Sequence, residues 1–123
     1  MKLASLALAV LSAASLALAA DPAPVTGDWN VHASVVGNES DSKCTFTQKG
    51  ADLTGTCTNL EGQKLDITGK VEGTKVTWSF KTEYNGTPLT VNHEGTLEGG
   101  KISGTINVPE FSVSGEFTAT PAK

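Results

Sequence analysis

Along residues 25–120 apolar and polar side chains alternate with a period of two, in eight runs set apart by turn signals. That is the period of a strand with one buried face. The runs are 25–36, 42–49, 52–58, 64–72, 75–84, 87–97, 101–108 and 111–120. One parity collects the large apolar side chains. It holds Trp29 and Val31 in the first run, and Cys44, Phe46 and Gln48 in the second. It holds Trp78 and Phe80 in the fifth, Val91 and His93 in the sixth, and Phe111, Val113 and Phe117 in the eighth. The other parity is Thr, Ser, Lys, Glu and Asn. No run has a helical period. Eight strands with one dry face and short connections predict an all-β fold. An eight-stranded antiparallel up-and-down (meander) barrel leaves no free edge. A two-sheet sandwich is the alternative.

The turns predict the registers. Gly50-Ala51 and Gly73-Thr74 suit type II′ hairpins and Asn85-Gly86 suits type I′. Glu98-Gly99 and Pro109-Glu110 read as further tight connections. Longer connections are expected at 37–41 and 59–63, on the same end as Asn85-Gly86 and Pro109-Glu110. The Gly50-Ala51 register sets Cys44 opposite Cys57 at a non-hydrogen-bonded position, where Cβ atoms approach closest. A disulfide is therefore expected there. The Asn85-Gly86 register sets Trp78 opposite His93, and a Glu98-Gly99 turn sets Gly104 opposite His93 on its other side.

A hydroxyl-glycine phrase recurs in Leu53-Thr54-Gly55, Ile67-Thr68-Gly69, Ile102-Ser103-Gly104 and Val113-Ser114-Gly115. Its glycines have inward parity. They let strands bend, and beside Trp78 and His93 they suggest interior space. A ligand pocket is apolar with a few convergent polar groups. Gln48, Trp78, Phe80, Val91 and His93 are the candidate lining. The competing reading is a filled core in which the His and Gln are satisfied by hydrogen bonds.

Residues 1–20 read as a secretory signal: Lys2, an apolar Ala/Leu/Val stretch, and the A-x-A site Ala17-Leu18-Ala19. Residues 21–24 form a short leader, 25–120 one domain and 121–123 a tail. The protein is expected to be exported, periplasmic or extracellular, with no membrane anchor after processing. The chain has no arginine. Loss of Lys2 takes the formal net charge from −4 to −5. An acidic chain without arginine is a poor binder of nucleic acid or of anionic lipid. No catalytic set, metal-ligand spacing or phosphate loop emerges, so no catalytic or metal site, no cofactor and no enzyme activity are expected.

Gly27-Asp28-Trp29 opens the first strand of the meander. This G-x-W resembles the signature of the calycin group: lipocalins, fatty-acid-binding proteins and avidins. The hairpin around Gly50-Ala51 and the Ile67-Thr68-Gly69 phrase are most similar to the avidin layout. The resemblance implies a small secreted barrel with Gly27, Trp29, Gly55, Gly69, Gly104 and Gly115 as structural positions. It does not imply biotin binding, because Val31, Val35 and Cys57 stand where avidins have an asparagine, a serine and a tyrosine. The basic residue that lipocalins pack on their Trp is also missing. Two functions follow as expectations. One is an interior site for a small apolar or amphipathic ligand. The other is a filled-core structural or protein-interaction module acting through the long-loop end.

Overall fold

The structure is a computed structural model and describes residues 23–122. The expected export signal, the first two leader residues and the last tail residue lie outside the described residues. Eight strands run in order: β1 (Gly27–Val35), β2 (Asn38–Lys49), β3 (Asp52–Asn59), β4 (Lys64–Glu72), β5 (Lys75–Tyr84), β6 (Thr87–Glu98), β7 (Lys101–Val108) and β8 (Val113–Pro121). Each pairs antiparallel with the next, and β8 closes on β1, so the sheet is a closed meander barrel. The meander follows from connections of two to four residues, which are too short to carry a strand past its neighbour. Closure buries the dry face by curling the sheet around it and leaves no free edge, where a two-sheet sandwich would bury the face but keep edges.

The inward parity fills the barrel. Trp29, Phe46, Trp78, His93 and Phe117 are all buried, with Leu53, Ile67, Val71, Val76, Ile102 and Ile106 between them. Cys44 and Cys57 face each other and are joined by a disulfide. Closing a loop of this length is worth on the order of 3 kcal/mol in the chain-entropy model. One end of the barrel is strapped by the leader. The Ala23 N–H donates to the Gly73 carbonyl, and the Val25 N–H donates to Gln48 Oε1 at 2.8 Å. Trp29 Nε1 in turn donates to the Val25 carbonyl at 2.9 Å. Strand β8 extends into the expected tail, where the Ala122 N–H donates to the Asp28 carbonyl.

Four expectations are corrected. The β6–β7 turn is Gly99-Gly100, both at positive φ, so Glu98 pairs with Lys101. Ile106 rather than Gly104 then faces His93, and Gly104 faces Gly95. Second, residues 38–41 belong to β2, and the β1–β2 connection is only Val36-Gly37, with φ of 50° and 79°. These values put a β-branched residue in the left-handed region that type I′ turns need. Third, Phe111 is not inward. Pro109–Phe111 is a 3-10 turn ended by left-handed Ser112, which swings the Phe111 ring out. Fourth, the inward glycines do not hold open space. A Cβ on Gly69 would press into the Thr77 carbonyl oxygen and the Trp78 Cα, and one on Gly104 into the Glu94 carbonyl oxygen and the Gly95 Cα. These strands approach more closely than any side chain permits, so the phrase marks the bends that close the barrel.

Candidate functional site

The sequence candidates fall into two places. Trp78 and His93 stack at 4.6 Å with an interplanar angle of 12°. The Phe117 ring stands edge-on to both at 5.1 Å, and Phe46 lies 4.9 Å from Trp78. Phe80 is 5.7 Å from His93 and, like Val91, is half-buried against the core. This cluster occupies the level where the glycine pattern suggested space. Gln48 is elsewhere. It sits by the strapped end, where its Nε2 donates to the Ala23 and Gly50 carbonyls at 3.0 and 3.1 Å.

The cluster has an unusual polarity. Trp78 Nε1 and His93 Nδ1 are buried with no hydrogen-bond partner. Loss of solvent pushes the His93 pKa down from 6.5 to about 4, against a smaller upward pull from the Trp78 backbone. The ring is therefore neutral near pH 7 and packs as an aromatic face.

A second histidine is arranged in the opposite way. His32 lies on the outer face of β1, opposite Asp41 of β2. Its Nδ1 is 2.7 Å from Asp41 Oδ1 and its Nε2 is 2.6 Å from Glu39 Oε1. The Ser34 hydroxyl donates to the other Glu39 oxygen. The Asp41 and Glu39 hydrogen bonds raise the His32 pKa, and the Ser34 and His32 bonds lower that of Glu39. The arrangement staples the β1–β2 hairpin. Among the described residues, no group of three or more His, Cys, Asp or Glu side chains is disposed to hold a metal. A groove of about 730 Å³ runs over the same outer face, lined by residues such as Asn30, His32, Asp41, Lys43 and Thr118.

The barrel end away from the strap is the end on which the sequence placed the four connections, but parity did not show the apolar side chains exposed there. Four connections meet there: Val36-Gly37, 60–63, Asn85-Gly86 and 109–112. Four large apolar side chains are exposed among the described residues: Val36 at 68%, Leu60 at 83%, Tyr84 at 60% and Phe111 at 45%. Each lies in or beside a different one of these connections. The three turns at the strapped end carry none.

The display is built. The Asn59 side chain accepts from the backbone N–H groups of Glu61 and Gln63 at 3.0 and 2.9 Å. That Asx-type ring holds Leu60 outward. Phe111 stands edge-on to Tyr84 with ring centres 6.2 Å apart. Glu110 pins the 3-10 turn to β6, accepting from the Thr90 N–H at 2.9 Å and the Thr90 hydroxyl at 2.8 Å. The available signals were small: Leu60 is the one apolar residue between Asn59 and Gln63, and Tyr84 precedes Asn85-Gly86.

At this same end the β4–β5 ladder stops at Thr68–Ser79, although both strands continue. Residues 64–67 and 80–84 diverge across a groove of about 590 Å³ lined by Gln63, Leu65, Lys81, Thr82, Glu83 and Pro88. No helix among the described residues is long and apolar enough to cross a membrane. The disulfide is compatible with an exported protein. No protein-family model matches the chain, and no curated protein matches it.

Proposed function

We propose that this is an exported, calycin-like barrel with a filled core, which acts as an interaction module through its four-connection end. The observation that carries this reading is the placement of Val36, Leu60, Tyr84 and Phe111 on one end, one to each connection. Scattered single apolar residues on a surface are ordinary, but a grouped and braced set marks a contact surface. Val36 adds weight, because its left-handed backbone and its exposure both cost stability. The partner face is apolar and accepts an aromatic pair beside two aliphatic tips. The reading involves no catalysis and no cofactor.

The experiment places a photoreactive amino acid at Leu60 or Phe111, and as a control at Ser103 on the outer wall, in the producing cells. Discrete adducts are expected from the first two sites and not from the third. Absence of adducts at Leu60 and Phe111, or equal labelling at Ser103, would overturn the reading.

A second reading, an interior ligand with a polar tip, is favoured by the unpartnered Trp78 Nε1 and His93 Nδ1. Such a ligand would have to displace part of the aromatic cluster.

A further inference from the structure

The open stretch of β5 is a strand edge, and its chemistry is self-complementary. Tyr84 and Thr87 flank the Asn85-Gly86 turn and form a hydrogen-bonded pair, and such pairs alternate along the hairpin. Phe80, Thr82 and Tyr84 thus turn their backbone groups toward β6. Lys81 and Glu83 turn theirs away, toward the side where the ladder with β4 has ended.

The outer edge of β6 is closed by comparison. Pro88 has no N–H to offer there, and the Thr90 N–H is taken by the Glu110 carboxylate. The outward positions of β5, among the described residues, have neither a proline nor a side-chain acceptor on their N–H groups, and carry the opposite charges of Lys81 and Glu83 instead. Among the described residues neither Lys81 nor Glu83 belongs to an ion pair, and both are exposed.

We infer that this edge pairs with the same edge of a second copy, antiparallel about Thr82. In that register Lys81 of each copy faces Glu83 of the other, twice over. Those are also the positions whose backbone groups point outward, so four main-chain hydrogen bonds form with two ion pairs. Phe80 of one copy meets Tyr84 of the other on the remaining face. A slip of one residue mismatches the faces, and a slip of two sets Lys81 against Lys81 or Glu83 against Glu83, so pleat and charge together select a single alignment. The result is a continuous β6–β5–β5–β6 sheet with two-fold symmetry.

One other partner for this edge lies within the chain. Extension of the β4–β5 register would set Asp66 against Lys81 and Lys64 against Glu83. The two arrangements respond differently to a charge exchange. The inference deepens the proposed role of this end and rests on it, because Tyr84 belongs to both surfaces.

The test is analytical ultracentrifugation of the oxidised protein and of Lys81→Glu, Glu83→Lys and the double exchange. The wild type is expected to dimerise with rising concentration. Each single variant sets like charges opposite each other and should weaken the dimer about tenfold or more. An equimolar mixture of the two single variants should restore it, because each then meets its complement. The double exchange should also dimerise like the wild type. In the wild type, amide exchange at Lys81 and Glu83 should slow with concentration, while that at Phe80, Thr82 and Tyr84 does not.

A wild type that stays monomeric throughout overturns the inference, and so does a mixture no more dimeric than its components. Slow exchange at Lys81 and Glu83 that is independent of concentration and lost in the double exchange would assign the edge to β4 instead. Cross-linking at Leu60 and Phe111 is read separately, so a failed pairing with intact adducts removes only the second-copy partner.

Discussion

His93 is held neutral by the rings around it, and two carboxylates bias His32 toward its charged form. Their effects on stability run in opposite directions. His93 has a folded-state pKa near 4 against 6.5 in the open chain. Its contribution is complete above pH 6.5 and is lost as the pH falls toward 4, by about 3 kcal/mol over the window. His32 has a raised pKa, so its contribution is complete below 6.5 and fades as the pH rises through the folded-state value. Being exposed, it counts for less. Urea unfolding of wild type and His93→Phe at pH 4 to 7 should give a steep acid-side loss only in the wild type. Parallel curves would show that the ring is not buried in its neutral form.

Among the elements, the β1–β2 hairpin shows most directly what a local pattern misses. Val36 reads as the last residue of a strand by propensity, since β-branched residues favour extended backbone. The long-range pairing of β1 with both β2 and β8 leaves only two residues for the turn, and forces it to φ = 50°. Val36→Asn keeps the turn and removes the clash of a branched side chain with left-handed backbone. It is expected to raise stability by about 1 kcal/mol in thermal or urea unfolding. The same change should reduce the apolar contact at this end, so a stabilised protein with weakened adducts at Leu60 would separate the two roles of the residue. The Glu98-Gly99-Gly100 segment is a related case. Two adjacent two-residue turns are compatible with it, and the pairing of β7 with both neighbours selects Gly99-Gly100.

Across the whole molecule, a barrel of eight strands is wide enough either to be filled or to hold one small ligand. Here Trp78, His93, Phe117 and Phe46 meet across the centre, and the glycines draw the walls inward around them. Titration with a long-chain fatty acid is therefore expected to leave the emission of Trp29 and Trp78 unchanged, with no shift in melting temperature. A saturable change in emission together with a raised melting point would favour the interior-ligand reading.

The eight strands, their inward faces apart from Phe111, the Cys44–Cys57 pairing and the Trp78–His93 pairing were legible in the chain. Each depends on a period of two or on a turn a few residues away, and both are short-range properties. The filling of the interior depends on ring volumes arriving from β2, β5, β6 and β8, which no single run contains. That four connections share one end was legible too, but the exposure of Val36, Leu60, Tyr84 and Phe111 there, and the end of the β4–β5 ladder at Thr68–Ser79, were not. Those are properties of the closed barrel, and only the tertiary structure decided them.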